Sequence, residues 1–337
     1  MASSYKPRLF NIDLHISVIA DFKHLFPEFN IIDWSLSGHN WVFKKSPTRT
    51  EIITQSTWIK LDEKMIHDFQ EKYDEFLNSF DGFICAHPNG FALLYEKYNK
   101  PVIMINSCRY DLPFCFSKNL EMLDKYNACL KRLSAKGLLI AVSNNKADQK
   151  YTQVGADIIT THIPSLCAYT SMKYTPTRST FLCYHGSTPS HRLITQKREL
   201  PPRFEWSDIQ SFRGIIHFPY EISTMSMFEH YTAGLPLFFP TKRYMMEHCG
   251  IQSISAYWGD KLPKCLSEFR DKKVWVDNAD FYEVFSSPNI YYFDSIPHLF
   301  ELLESFEWKD DSSILEHHKK SIRDSWISVL KPHFAIC

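Results

Sequence analysis

The chain has 337 residues, of which 44% are hydrophobic and 23% are charged. These are the proportions of a folded protein with a sizeable core, and the length favours two domains. Lys plus Arg equal Asp plus Glu at 38 each, so the formal net charge is zero. That balance argues against a protein whose main role is to grip a nucleic-acid backbone. No stretch approaches the roughly 18 apolar residues of a membrane span, so we expect neither a nucleic-acid partner nor a transmembrane segment.

The chain has nine cysteines, an odd number, and none of them forms a CxxC pair. This pattern is typical of reduced thiols in a cytosolic compartment and not of a disulfide framework or a zinc cluster. The N-terminus has no apolar core followed by a small-residue cleavage site. Cys337 is the last residue, so it cannot be the modified cysteine of a prenylation box. We expect a cytoplasmic protein, either a monomer or a homodimer.

Apolar runs and helical periodicities alternate along the first half of the chain. Strands are predicted over 8–15, 30–37, 81–88, 100–107, 138–144 and 157–165. Amphipathic or apolar helices are predicted over 17–28, 63–80, 90–99, 118–137 and 146–155. Nearly continuous apolar strands that alternate with helices favour a parallel sheet covered on both faces, which is an α/β fold.

The polar stretch 167–180 is interpreted as a linker, after which the pattern restarts. Strands are predicted over 180–187, 212–220 and 235–241, with helices over 223–233 and 312–330. We therefore predict two Rossmann-like domains, 1–168 and 176–337, with the last helix packing back on the first domain. Two such domains in tandem leave a cleft, and ligands bind beyond the carboxyl ends of parallel strands.

The segment His217–Thr241 carries the most informative pattern, because a predicted strand, a loop and a helix follow one another in it. The start of such a helix offers free N–H groups and the positive end of its dipole to an anion. Glu221 lies in the loop and Glu229 in the helix, with seven residues between them. Carboxylates accept hydrogen bonds from pairs of sugar hydroxyls, so the spacing suits the two sugars of a nucleotide-sugar. On spacing alone, a capping box over Ser226–Glu229 explains the pattern equally well.

The succession of Glu221, Glu229, Gly234, Pro236 and a buried strand resembles the donor-binding signature of glycosyltransferases with two facing Rossmann-like domains, the GT-B fold. It is most similar to the retaining branch that includes sucrose synthases and bacterial mannosyltransferases. The compact chain also resembles transferases of large algal viruses, for which the location is the host cytoplasm. The resemblance implies metal-independent transfer of a hexose or pentose from a UDP- or GDP-linked sugar to a glycan or another hydroxyl acceptor.

The resemblance also implies a donor site in the second domain. Glu229 is expected at the ribose and Glu221 at the transferred sugar, while the main-chain N–H groups of Ser223 and Thr224 meet the diphosphate. The remaining donor-side residues are expected to be Gly186, Arg192, Lys197 and Tyr220. Arg192 and Lys197 are five positions apart, as in the family, but the segment "STPS" separates them from the preceding strand. A solvated loop with two cations is the alternative for this pair, and a plain turn is the alternative for Gly186.

Polar residues follow several predicted strands of the first domain, which the resemblance makes the acceptor side. Asp13 and His15 are expected near the reacting carbon, and with Glu221 they form the expected catalytic set. Acceptor contacts are expected from Ser17, His39, His87 and Arg109. Further polar residues at these strand ends are Asn89, Asn106 and Asp111, and Trp41 can stack on a sugar or serve only in packing. A single histidine in a loop is also common on any surface.

The expected chemistry is electrostatic stabilisation of a departing nucleoside diphosphate by the helix start, Arg192 and Lys197. With retention of configuration the leaving phosphate takes the acceptor's proton, whereas inversion requires Asp13, His15 or Asp111 as the base. No metal or cofactor is expected, since Asp310 and Asp311 fit a solvated loop. A nucleotide-sugar epimerase or hydrolase of the same fold and a non-catalytic two-lobed sugar-binding protein are the alternatives.

Overall fold

A computed structural model describes residues 5–186, 188–251, 255–284 and 286–336. These residues divide into two compact units. The first comprises the described residues of Met1–Pro164, Ile254–Arg270 and Arg323–Cys337, and the second those of Ser165–Ser253 and Asp271–Ile322. Ser187, which follows Gly186 in the predicted turn, and Cys337, the last residue, lie outside the described residues.

The first unit is built on a six-stranded sheet in which every pair of neighbours is parallel, in the order β2-β1-β3-β4-β5-β6. The strands are β1 Arg8–Asp13, β2 Asn30–Ser35, β3 Gly82–Cys85, β4 Val102–Asn106, β5 Leu139–Ser143 and β6 Thr161–His162. Strands β3 and β4 are fully buried, as expected for strands covered on both faces. All six lie within the predicted runs.

The helices of the first unit's N-terminal part are α1 Ile16–Leu25, α2 Glu63–Lys72, α3 Asp74–Asn78, α4 Phe114–Ser117, α5 Leu120–Ala135 and α6 Lys146–Ala156. The side chains of Asn119 and Asn145 cap α5 and α6. The helix predicted over 63–80 is broken at Tyr73. The α-helix predicted over 90–99 is wrong, because this stretch forms 3₁₀ turns that end at the left-handed residue Asn99.

The core of the first unit is rich in aromatic side chains. Phe10 of β1 is fully buried and packs against Trp34 and Phe76, with ring centroids 5.0 and 5.4 Å away. On the same sheet Phe83 stacks on Tyr95 at 4.3 Å. Such aromatic pairs contribute beyond the apolar area that they bury, so they stabilise the sheet that carries the loops at its carboxyl edge.

The second unit repeats the same plan with a five-stranded parallel sheet in the order β11-β10-β9-β7-β8. The strands are β7 Phe181–His185, β8 Ile194–Gln196, β9 Ile215–His217, β10 Leu237–Pro240 and β11 Ile290–Phe293. Strands β8 and β11 are short and were not predicted. Phe181, Ile216 and Phe238 lead a buried cluster that also contains Leu299 and Leu303.

The remaining helices are α7 Trp206–Gln210, α8 Met225–Thr232, α9 Lys242–His248, α10 Ser255–Trp258, α11 Lys272–Val276, α12 Asp280–Glu283, α13 Ile296–Glu304 and α14 Ser312–Leu330. Helix α10 belongs to the first unit. The helix predicted over 312–330 is confirmed by α14. Within the part of the chain that is described, no helix combines the length and apolar character that crossing a membrane requires.

Both sheets therefore confirm the α/β class with two Rossmann-like units. In the first sheet β1 lies between β2 and β3, and in the second sheet β7 lies between β8 and β9. The strand order reverses between β1 and β3 in the first unit and between β7 and β9 in the second. Open parallel sheets bind ligands at the carboxyl ends of the strands that flank such a reversal. These two places, termed the first and the second switch point, are where a site is expected.

Candidate functional site

Two histidines end the strands that flank the second switch point. His185 ends β7 and His217 ends β9, and their rings lie 5.8 Å apart. Gly186 follows with φ +78°, and a Cβ atom there would lie 2.5 Å from Cβ of Phe218. Only glycine adopts this conformation readily, so the residue is required by the turn itself.

A third histidine, from helix α8, packs against this pair. His230 of α8 lies with its Nδ1 3.2 Å from Nε2 of His217, and its ring meets that of Tyr184 edge-on at 4.8 Å. His217 and His230 are fully buried. Burial lowers the pKa of His230 to about 3 and of His185 to about 4, and it lowers the pKa of His217 well below its usual value. These rings are therefore uncharged near neutral pH.

Helix α8 begins at Met225, and its first turn carries no side-chain cap. Thr224 is the residue before the helix, but its side chain accepts no hydrogen bond from the first-turn N–H groups. Its Oγ1 lies 3.1 Å from Oγ of Ser226, which lies 3.3 Å from Nε2 of His185. Ser226 is the second residue of the helix, so the capping-box interpretation of Ser226–Glu229 is wrong. The Met227 N–H donates to the Thr224 carbonyl at 3.1 Å. Among the described residues no acceptor meets the N–H groups of Met225 and Ser226, which are left for another acceptor.

Lys197 follows the carboxyl end of β8, on the same sheet edge. Its Nζ lies 3.8 Å from the centre of the Tyr184 ring and 5.5 Å from that of Phe204. Burial lowers the pKa of Lys197, and the charge of Glu229 opposes this. Among the described residues no oxygen accepts a hydrogen bond from its Nζ, and no carboxylate pairs with it. A half-buried ammonium with three unused donors is a site for an anion.

Glu229 lies in the middle of α8 and is held by a tyrosine. The Tyr169 hydroxyl donates to its Oε1, and no described residue donates to Oε2. Burial raises the pKa of Glu229, while the hydrogen bond from Tyr169 and the charge of Lys197 both lower it. The carboxylate therefore has one oxygen bound by the protein and one that is open to a ligand.

The loop between β9 and α8 holds the other expected donor-side residues. Tyr220 is exposed, and its ring lies 5.2 Å from that of His185. Glu221 and Ser223 are half-buried in the same loop. The structure thus places Gly186, Tyr220, Glu221, Ser223, Thr224 and Glu229 on segments that border the second switch point.

Arg192 lies elsewhere, which corrects the expected pairing with Lys197. It precedes β8, at the amino edge of the sheet, whereas Lys197 follows β8 at the carboxyl edge. Its guanidinium is exposed and donates to both carboxylate oxygens of Glu304, at 2.7 and 2.6 Å. The short strand Ile194–Gln196 separates the two cations and was not predicted, so the five-residue spacing was misleading.

At the first switch point a buried carboxyl joins the two strand ends. Asp13 of β1 accepts hydrogen bonds from the main-chain N–H groups of His15 and, at 3.1 Å, of His87. Its side chain is fully buried, and burial raises its pKa well above the usual value. Burial also lowers the pKa of His15 to about 4 and of His87 to about 3. Asp13 thus joins the backbone of the two strand ends, and its expected catalytic role stays a prediction.

The other acceptor-side residues differ in exposure. His39 and Trp41 are exposed, while Ser17 is half-buried in the first turn of α1. The ring of His87 lies 5.8 Å from that of His15. His15, Ser17, His39 and His87 thus follow β1, β2 and β3 on one edge of the sheet, as the predicted strand ends required.

Two further expectations are corrected in the first unit. Arg109 is 2% exposed and donates to both carboxylate oxygens of Asp148 at 3.3 Å. Asp111 is fully buried and accepts from the Tyr151 hydroxyl and from Nε1 of Trp258, both at 2.6 Å. Both side chains are directed into the protein. They hold α6 and the segment around Trp258 in place, and a role in acceptor binding or as a base does not fit this burial.

Sequence reasoning did not single out the histidines at the second switch point or Tyr169. His185 and His217 end two predicted strands, so their positions alone could have drawn attention to them. Tyr169 lies in the stretch interpreted as a linker, and nothing in its sequence context relates it to Glu229. No group of three or more His, Cys, Asp or Glu residues in the described ranges is arranged to hold a metal ion.

Comparisons with known proteins give only distant structural likenesses. No family model and no curated protein matches the sequence. The solved structures that resemble the chain include a glycosyltransferase of kitacinnamycin, at 11% identity and TM-score 0.41, which covers 96% of this chain and 95% of that one. The spinosyn forosaminyltransferase SpnP matches at 10% identity and TM-score 0.40, over 89% and 100% of the two chains. The glycosyltransferase SnogD from Streptomyces nogalater matches at 8% identity and TM-score 0.41, over 95% of this chain and 94% of that one.

Proposed function

We propose that the protein is a GT-B glycosyltransferase that moves a hexose or pentose from a UDP- or GDP-linked sugar to a glycan or another hydroxyl acceptor. The second unit binds the donor and the first unit binds the acceptor. Transfer is metal-independent and retains configuration. The reaction takes place in the cytoplasm, and the absence of disulfides among the eight described cysteines supports a reducing compartment.

The observation that carries this proposal is the unpaired ammonium of Lys197 on the same sheet edge as the uncapped start of α8. A diphosphate satisfies both, because it accepts hydrogen bonds from the first-turn N–H groups and from Nζ. Negative charge grows on the leaving diphosphate as the glycosidic bond breaks. Fixed donors that meet this growing charge lower the barrier more than they stabilise the bound substrate.

The two glutamates support a nucleotide-sugar in place of a simple diphosphate. Glu229 keeps one oxygen open for the ribose hydroxyls, and Glu221 in the loop before α8 is assigned to the transferred sugar. The resemblance of this pattern to the Glu-x7-Glu donor signature assigns the same roles. The three neutral histidines at the second switch point add no charge that would compete with Lys197 for the phosphates.

Retention is favoured by the arrangement of Asp13 and His15. An inverting mechanism needs a base for the acceptor hydroxyl, and a histidine is made a stronger base when a carboxylate binds its ring. Asp13 instead binds main-chain N–H groups, and Nδ1 of His15 is buried with no hydrogen-bond partner among the described residues. With retention the leaving phosphate takes the proton, so no such base is required. His15, Ser17, His39 and His87 are then assigned to acceptor binding.

The experiment is product analysis with radiolabelled UDP- and GDP-sugars and a panel of glycan acceptors. We expect label in a glycan product, with the anomeric configuration of the donor retained when the linkage is determined by NMR. Free sugar as the sole product identifies a hydrolase, and a changed nucleotide-sugar identifies an epimerase. A protein that binds these donors in calorimetry without converting them is a sugar-binding protein, and each of these outcomes contradicts the proposed transferase.

A further inference from the structure

The segment that joins the end of the first unit's sheet to β7 lies along helix α8. The Thr232 hydroxyl donates to the Leu166 carbonyl, and the Tyr174 N–H donates to the Ala233 carbonyl at 3.0 Å. Tyr169 reaches Glu229 between these two anchors. Tyr169 thus has a fixed position over the middle of the helix, whereas a flexible linker would leave it mobile.

The backbone around Tyr169 is itself unusual. It lies in the 3₁₀ turn Ala168–Thr170, and the residues on both sides of the turn, Cys167 and Ser171, are left-handed with φ of 56° and 54°. Non-glycine residues avoid the left-handed region, because each one there costs about 1 kcal/mol or more. They keep this conformation only where the surrounding structure imposes it. Two such residues around one short turn present a single side chain at a defined place.

The polar end of that side chain meets the carboxylate that the proposed function assigns to the ribose. We propose that Tyr169 is a positioning residue for Glu229: its hydroxyl fixes the carboxylate through Oε1, so that Oε2 is presented to the ribose hydroxyls of the donor. This inference rests on the proposed function. The Tyr169 ring also meets the Trp206 ring edge-on at 6.0 Å, which limits its rotation.

The test compares Tyr169→Phe with Tyr174→Phe. Tyr174 lies in the same segment, and its hydroxyl donates to the Arg213 carbonyl at 3.0 Å, so its loss removes one hydrogen bond without touching Glu229. Calorimetry with UDP, GDP and their 2′-deoxy forms measures binding. We expect Tyr169→Phe to weaken binding of the preferred ribonucleotide about tenfold, the usual effect of a lost charge-assisted hydrogen bond. Tyr174→Phe should bind as the wild type does.

Two readouts separate positioning from a merely structural role. The Tyr169→Phe variant should lose preference for the ribonucleotide over its 2′-deoxy form, and adding Tyr169→Phe to Glu229→Gln should cause no further loss. The hydrogen bond from Tyr169 lowers the pKa of Glu229. Its removal should therefore move the acid limb of nucleotide binding to higher pH, because the carboxylate is protonated sooner.

The outcomes are distinct for the two proposals. Wild-type protein that binds neither UDP nor GDP overturns both the proposed function and this inference. Wild-type binding that Tyr169→Phe leaves unchanged, with the ribose preference and the pH profile intact, overturns the inference alone. Equal losses in Tyr169→Phe and Tyr174→Phe show that the segment acts only through packing, which also overturns it.

Discussion

The two switch points have the same topology and differ in how their charges are met. Each carries a pair of histidines whose rings lie 5.8 Å apart. At the first, Asp13 joins the strand ends through main-chain N–H groups. Arg109, which follows β4 of the same sheet, is buried against Asp148. At the second, Lys197 pairs with no carboxylate among the described residues. A sheet edge whose charges are satisfied internally suits a neutral ligand such as a sugar hydroxyl, and one with an unpaired cation suits a phosphate.

The largest expected difference between the two switch points is in the folding stability that their units lose at acid pH. A histidine that is neutral in the folded protein takes up a proton when it unfolds below its ordinary pKa of about 6.5, so stability falls as the pH drops below that value. At the second switch point three histidines, His185, His217 and His230, have lowered pKa values, whereas at the first His15 and His87 do. We expect a loss of about 1–2 kcal/mol per buried histidine by pH 5, measured by urea unfolding.

Hydrogen exchange locates that loss. Peptides that cover β9 and α8 should lose protection on acidification before those that cover β1 and β3. The variant His230→Phe should show a shallower dependence of stability on pH, because it removes one group that binds a proton on unfolding. Equal loss of protection in the two units, or a stability that is flat from pH 7 to 5, would contradict the larger number of neutral histidines at the second switch point.

Removing the charge of Lys197 should have the next largest effect. We expect Lys197→Met to lower turnover by about a hundredfold or more, as loss of one transition-state hydrogen-bond donor does in other enzymes. Arg192→Met is the matched control, because its guanidinium is exposed and paired with Glu304 at the other sheet edge. Exposed pairs contribute about 0–1 kcal/mol, so this variant should keep its turnover. Turnover is measured as the initial rate at saturating donor. Equal losses in the two variants would show that a cation's position at the carboxyl edge of the sheet does not decide whether it contributes to turnover.

A glycine pair tests whether the turn at the second switch point is required by packing. At Gly186 both the left-handed φ and the close approach of Phe218 oppose a side chain, whereas Gly137 of the first unit has φ +65° and no atom within 4 Å of an added Cβ. We expect Gly186→Ala to cost about 2–4 kcal/mol of stability and Gly137→Ala about 1 kcal/mol. Similar costs in denaturant titrations would mean that Phe218 moves away easily.

The contrast between these regions also shows what the sequence could predict. The strands of the first sheet and the long helix Ser312–Leu330 follow from apolar runs and periodicity, since such signals depend on local residues alone. Strand β8 is too short and too mixed in polarity to be found this way. Strand β11, an apolar and aromatic run of the same length as β3, carried the signal and was missed. The predicted position of Arg192 depended on β8. Because this three-residue strand was not predicted, Arg192 was expected at the wrong edge of the sheet.

The candidate site was predictable where its residues follow one another, and not where distant segments meet. Glu221, Thr224 and Glu229 share one strand-loop-helix segment, whose order a reader of the sequence can recover. Tyr169 contacts Glu229 from 60 positions earlier, and spacing carries no such information. Asp13 shows a related limit: its position at a strand end was foreseen, but its burial under two main-chain N–H groups depends on β3.

The smallest expected effect is that of a chelator. The diphosphate charge is assigned to Lys197 and the start of α8, and an ammonium that attracts phosphate at that place also repels a divalent cation. Mg²⁺ bound to diphosphates is normally held by one or two carboxylates, and of the two candidates here Glu229 already has one oxygen bound by Tyr169. Transfer activity should therefore change little in excess EDTA. If EDTA abolishes transfer and Mn²⁺ restores it, then Glu221 and Glu229 are metal ligands and not sugar-binding groups. The diphosphate charge at the second switch point is then neutralised by a metal ion and not by Lys197 and the start of α8.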